Sequence, residues 1–131
     1  MTYPSKIGAR ALGFGLAAML LVAAWPAGAA AQVSFNEDIF PIIELRCLKC
    51  HQPGGAGYEK SGLDLSSYEG LMRGTKYGSM ITPGSWLESN LIAVIDHRTA
   101  PETWMPHNKK ELSKCEQLTF RHWVMQGATN N

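Results

Sequence analysis

The sequence carries no surplus of either charge: 12 Lys and Arg stand against 11 Asp and Glu. That balance argues against nucleic acid or a polyanionic surface as the partner, because such binding rests on neutralising phosphates. Cysteine is scarce and odd in number, with Cys47, Cys50 and Cys115 alone, so a simple disulfide framework fails. No second C-x-x-C or H-x-H cluster accompanies the first pair, which leaves zinc short of its four ligands. No segment alternates apolar and polar residues long enough to read as a strand. The βαβ setting that a thioredoxin-type redox pair needs is therefore missing as well. Internal repeats and low-complexity runs are also absent.

What is present begins with an export signal. Lys6 and Arg10 precede an apolar run from Ala11 to Ala24, Pro26 breaks it, and Ala29-Ala30-Ala31 ends it before Gln32. A basic start, an apolar stretch of about 14 residues and an A-x-A site fit a secretory signal peptide over 1–31. The run is short of the ~20 residues that a membrane span wants, although 11–31 retained uncleaved is the rival reading. The remaining residues, 32–131, are enough for one small domain, which buries a modest core and often needs a staple or cofactor. Losing Lys6 and Arg10 leaves 10 basic residues against 11 acidic ones, a net charge of −1.

The stretch Cys47-Leu48-Lys49-Cys50-His51 has the Cys-x-x-Cys-His spacing of covalent haem c attachment. Residues three and four apart share one helix face, so both thiols can reach the vinyl edge of one porphyrin while His51 turns its imidazole to the iron. The occupant of the sixth position then sets the chemistry, because a Met ligand raises the potential and an open site admits small molecules. The candidates are Met72, Met80, Met105, Met125, His97, His107 and His122. Met105 leads them. Pro101 and Pro106 flank it and favour an extended loop able to cross a haem face; His97 and His107 stand behind it. Met72 and Met125 read as apolar packing.

The helical pattern is read from caps and apolar spacing. Ser34 and Glu37 have the capping-box spacing ahead of a helix running into Cys47, with Ile39, Phe40, Ile43 and Leu45 as its apolar residues. Pro41 fits if the start lies nearer Asn36 or Asp38. Ser66 and Glu69 open a short helix through Met72 that ends near Gly74. Ser85 and Glu88 follow the Pro83-Gly84 turn and open a helix to about Asp96, with Leu87, Leu91, Val94 and Ile95 as a buried stripe. Ser113 and Glu116 open the last helix, which carries Leu118, Phe120, Trp123 and Val124 and is capped near Gly127. The expectation is an all-α domain.

The motifs "FNEDIFPIIELRCLKCH" (35–51), "SGLDLSSYEGLMRG" (61–74), "ITPGSWLESNLIAVI" (81–95), "MP" (105–106) and "LSKCEQLTFRHWVMQGA" (112–128) together resemble the single-haem c-type cytochromes. More narrowly, the chain is similar to the planctomycete-type cytochrome c domain. The resemblance implies a cytochrome c-type fold of about four helices wrapped around one haem c, attached through Cys47 and Cys50. It implies His51 as proximal and Met105 as distal ligand, with Phe40 against Trp123 or Phe120 where the first and last helices cross. Two positions depart from the family pattern: His107 stands where the family tends to have a second proline, and Gln117 where it prefers an apolar residue. The first keeps a His107 ligand open, and the second suggests a less apolar face or a partner contact.

The implied function is one-electron transfer in the periplasm, without substrate turnover. Partners would be a redox protein donor and acceptor, or a respiratory, dehydrogenase or photosynthetic membrane complex. The alternatives are a gas- or peroxide-binding sensor or enzyme with an open sixth site, and a fixed relay subunit of a larger assembly. Other residues carry plainer expectations. Cys115 reads as a small buried hydrophobe and His122 as solvent-facing or packed. Trp86 and Trp104 pack on a porphyrin or fill core. Lys49, Lys60, Lys76, Lys109, Lys110 and Lys114 read by default as scattered solvated charges, with a ring around the haem edge as the alternative.

Overall fold

The computed structural model describes residues 31–131; the expected signal peptide lies almost wholly outside them. The chain folds through Phe35–Ile39, α1 (Phe40–Arg46), α2 (Ala56–Ser61), α3 (Tyr68–Arg73), α4 (Asn90–Ile95), a 3₁₀ turn at Pro101–Thr103 and α5 (Lys114–Met125). No strand occurs among the described residues, where Thr75 and Gly78 form an isolated bridge. The fold is all-α, with five α-helices among the described residues where about four were expected. The added one is α2, whose Gly-rich opening hides it because glycine is a poor helix former. No helix of the described residues is long and apolar enough to cross a membrane.

The first helix solves its proline problem with a widened turn. Ser34 caps it by accepting from the Glu37 amide at 3.1 Å, but Asp38, not Glu37, reaches back, its Oδ2 accepting from the Ser34 amide at 2.8 Å. The cause is the π-type winding of Phe35–Ile39, in which the Ile39 amide donates to the Ser34 carbonyl five residues back, at 3.2 Å. Regular α-geometry begins only at Phe40, so Pro41 is the second α-residue and its ring avoids a clash inside a regular helix. Ile39 and Ile43 are buried, whereas Leu45 is 77% exposed and belongs to the outer face.

Two further helix starts sit away from the expected serines. Ser67, not Ser66, caps α3 by accepting from the Gly70 amide, while Ser66 is engaged by the Asp64 carboxylate. In the other case the helix starts at Asn90, after Ser89 and not after Ser85, four residues later than expected. Ser89 is buried and bonds back to Thr82 and Ser85, which holds 82–89 as a folded turn instead of helix. Leu87 is consequently exposed, while Leu91, Ile92 and Ile95 are buried. The Ser113–Glu116 capping box forms as expected. Burial works against the Glu116 carboxylate, but the Ser113 hydrogen bonds and nearby Arg46 hold it below its usual range.

An aromatic cluster joins the two chain ends. Phe35 lies 5.7 Å from Trp123 and 5.2 Å from Tyr68, centroid to centroid. Phe35 therefore makes the contact expected of Phe40, because the π-type turn rotates Phe35 inward and Phe40 is left half-buried beside it. Trp123 is fully buried and its Nε1 donates to the Thr129 carbonyl at 3.0 Å. Asn131 then closes the ring: its carbonyl accepts from the Asn36 amide and the Ser34 hydroxyl at 3.1 and 2.7 Å. Outside this core Met125 and Cys115 are exposed, contrary to their expected burial, because they share the outer face of α5. Met72 packs against the core as expected.

Gln117 is the polar residue that α5 turns inward. It is buried, donates from Nε2 to the Ile95 carbonyl at 3.1 Å and accepts from Lys114 Nζ at 3.0 Å. It faces no partner; it satisfies a carbonyl at the C-terminal end of α4 that the helix itself cannot. Gln117→Leu, although it matches the family's apolar preference, leaves that carbonyl unpaired in the interior. The expected loss is about 1–3 kcal/mol, read as a lowered denaturation midpoint with an unchanged slope.

Candidate functional site

The five residues of Cys47–His51 extend α1 by one turn. The His51 amide donates to the Cys47 carbonyl at 3.1 Å, which is the i to i+4 bond that stacks those two residues on one side. The segment from Tyr58 to Leu65 grips the turn from outside. The Cys50 carbonyl accepts from the Tyr58 amide at 2.9 Å and the His51 carbonyl from the Leu65 amide at 2.7 Å. The start of α2 presses so close that a Cβ on Gly55 would stand 2.5 Å from the Cys50 carbonyl oxygen. A Cβ on Gly57 would stand 2.8 Å from His51 Cε1 and 2.9 Å from Nε2. The closeness of Gly57 to the histidine ring is a matter of packing and had no mark in the spacing.

Beside this turn opens a cleft of about 500 Å³, within the size range of small-molecule and cofactor sites. Cys47, Cys50 and His51 line one part of it, and Met105 and His107, from the α4–α5 connection, line another. Leu63, Leu65, Leu91, Val94 and Ile95 form its apolar walls, which are largely buried. Met80 also lines it, so two thioethers and one further imidazole face the same space as His51. The remaining candidate ligands lie elsewhere. Met72 packs in the core, Met125 and His122 face solvent, and His97 stands behind the Met105 loop.

Neither tryptophan lines the cleft. Trp86 sits between the Arg98 and Arg121 guanidinium groups at 5.3 and 4.8 Å, and Trp104 stacks on His97. Of the six lysines, Lys60 and Lys109 reach the cleft, whereas Lys114 serves Gln117 and Lys76 lies over the Tyr77 ring at 5.2 Å.

The electrostatics suit a haem c donor set. Burial pushes the Cys47 thiol up to about 11, with the Arg46 cation opposing, so it stays a neutral thiol in a greasy wall. Burial also lowers the His51 pKa, against the opposing effect of the Leu63 backbone, which favours the neutral imidazole that a metal binds. Its Nδ1 is fully buried and closes no hydrogen bond of good geometry, an orphaned polar atom in the wall of the cleft. Two thiols and an imidazole on one turn, with thioether and apolar side chains lining the same cleft, make a set that haem c fits.

Arg46, immediately before Cys47, ties the two sides together. Its Nη2 donates to the Lys110 and Glu111 carbonyls at 2.8 and 2.7 Å, and its Nε lies 3.9 Å from the Glu116 carboxylate. The chain that leaves Met105 is thus fastened to the attachment turn.

An all-α domain with a Cys-x-x-Cys-His turn opening on such a cleft has the architecture of a c-type cytochrome. Residues 47–107 match the sequence model of the family described as Planctomycete cytochrome C, a similarity that points to haem c and to haem-based electron transfer in general. No curated protein and no solved structure matches the chain.

Gly57→Ala tests the seat of the imidazole. With the methyl 2.8 Å from the ring and 2.9 Å from the Cys50 carbonyl, the turn must shift. Co-expression with a haem-attachment system is expected to yield several-fold less haem-stained protein on a denaturing gel, and Cys47→Ser with Cys50→Ser none.

Proposed function

We propose that residues 32–131 form a periplasmic one-electron carrier or relay, holding one haem c through Cys47 and Cys50 with His51 and Met105 as axial ligands, and that 1–31 direct its export. The observation that carries this reading is the shared cleft, which Cys47, Cys50 and His51 enter from the end of α1 and Met105 from the α4–α5 connection. When bound, the haem supplies reversible one-electron iron chemistry. The chain supplies the rest. His51 and Met105 would hold the haem iron from the chain, and with both bound no coordination site would be left for a substrate. Leu63, Leu65, Leu91 and Ile95 keep water from the cleft walls. Their low dielectric favours the iron state of lower net charge, and a thioether ligand raises the potential in the same sense.

The rim of the cleft gives the partner its character. Arg46, Lys60 and Lys109 line it against the single acid Glu102, although the mature chain as a whole is near neutral. A local positive rim steers an acidic redox protein toward the opening. The relay-subunit reading loses the support expected from Gln117, which is spent inside the fold, and the free carrier is preferred.

His107, which lines the same cleft two residues from Met105, favours a second reading in which the sixth position is exchangeable. Met105→Ala separates the two. The expected outcome is loss of the weak long-wavelength sulfur-to-iron band of the ferric protein and a lowered potential, with His107 restoring a low-spin spectrum. Met105→Ala with His107→Ala then binds CO rapidly in the ferrous state. A single variant whose spectrum matches the wild type removes Met105 as the ligand.

The rim is tested with a small anionic oxidant. Lys60→Glu with Lys109→Glu is expected to slow oxidation of the ferrous protein by ferricyanide about tenfold at low ionic strength. The difference should fade as salt approaches the molar range, where screening falls to ~3 Å.

A further inference from the structure

His97 was a candidate ligand, yet it lies outside the cleft, and its contacts give it a different task. It follows α4 in a left-handed conformation, φ 55°, which a non-glycine residue adopts only where the surroundings hold it. Its ring stacks on Trp104 with centroids 4.5 Å apart and planes within 4°. Its Nε2 lies 3.3 Å from the Met105 carbonyl oxygen, which accepts from it in the tautomer protonated at Nε2. Its Nδ1 faces the Glu111 carboxylate at 3.7 Å.

The backbone of Met105 is thereby held on both sides by the end of α4. Its amide donates to the Val94 carbonyl at 3.1 Å while its carbonyl accepts from His97. The preceding residue is held as well, because Trp104 Nε1 donates to the Thr99 carbonyl at 2.9 Å. Glu111, which closes the other side of His97, has its own carbonyl bound by Arg46 at 2.7 Å, one residue before Cys47. A continuous set of contacts therefore runs from Arg46, beside Cys47, through Glu111 and His97 to the carbonyl of Met105.

We propose that His97 is a positioning residue for the sixth ligand: with Trp104 it fixes the Met105 backbone so that the thioether is presented to the cleft in one place, and so sets how readily an external ligand displaces it. The proposal rests on Met105 being the distal ligand. A thioether is a weak ligand, and its hold depends on how little conformational freedom its loop regains on letting go. With the tether cut, the loop regains that freedom and the sixth site opens more often.

The test uses the haem-loaded protein and titration of its ferric form with imidazole. His97→Asn keeps a residue type that tolerates the left-handed region but is too short to reach the carbonyl. It is expected to bind imidazole about five- to tenfold more tightly, the size of one lost hydrogen bond, and to weaken the sulfur-to-iron band. His97→Gln, whose amide can donate again, is expected to return both readouts toward wild type. Trp104→Leu, which removes the stack without touching His97, should shift them in the same direction as Asn and serves if His97→Asn does not mature. A wild-type protein lacking the sulfur-to-iron band overturns the Met105 reading and this proposal with it. A wild-type band together with unchanged imidazole affinity in the Asn and Leu variants overturns the positioning role alone.

Discussion

The cleft depends on one close approach, that of the α2 backbone to the turn that carries Cys47, Cys50 and His51. The Cys50 carbonyl accepts from Tyr58 while Gly55 and Gly57 stand where a methyl would collide with that carbonyl and with the His51 ring. Glycine costs helix stability, and here the cost is offset by what the missing side chains permit. A turn with no regular partner of its own is held from both flanks, so two thiols and an imidazole keep a common direction. Without that support the turn would be the frayed end of a short helix, and α1 is only seven residues long.

The Met105 part of the cleft is held differently. The connection between α4 and α5 has little regular structure apart from one 3₁₀ turn, and loops of this kind keep their shape only through specific contacts. Val94 and His97 hold Met105, Thr99 holds Trp104, and Arg46 holds the chain at Lys110 and Glu111. Ile95, the last residue of α4, has its carbonyl taken by Gln117, so the helix that anchors the loop is itself anchored to α5. The aromatic contact of Phe35 with Trp123 and the clamp of Asn131 on the first turn close the molecule behind the site. Each side of the cleft thus refers back to the packing of the first and last helices.

How much of this could be read beforehand varies with the range of the interaction. The Cys-x-x-Cys-His turn and the Ser113–Glu116 capping box are local patterns, complete within five residues, and they form as read. Ser66 against Ser67 shows where a local signal is ambiguous: nearby serines compete, and Asp64 engages one of them. At α4 the start moved for another reason, because the Ser89 hydroxyl is taken up by Thr82 and Ser85 and holds the preceding turn. Phe35 in place of Phe40 follows from the widened turn before Pro41, a backbone choice that side-chain periodicity does not display. Gln117 looked like a flaw in an apolar face because its partner, the Ile95 carbonyl, is 22 residues away in the chain. Met105 was singled out from its flanking prolines, but its equals in the cleft, Met80 and His107, and the exclusion of His97 depended on how the loop is folded.

The sequence alone determined the attachment turn, the helical class and the order of the helices, because hydrogen bonds within four residues and apolar periodicity are written in neighbouring positions. Only the tertiary structure decided which sulfur and which imidazoles face the cleft, which glycines seat the histidine and which residues hold the methionine loop. Those are contacts between segments far apart in the chain, chosen by packing and by the need to satisfy buried carbonyls, and no spacing in the sequence encodes them.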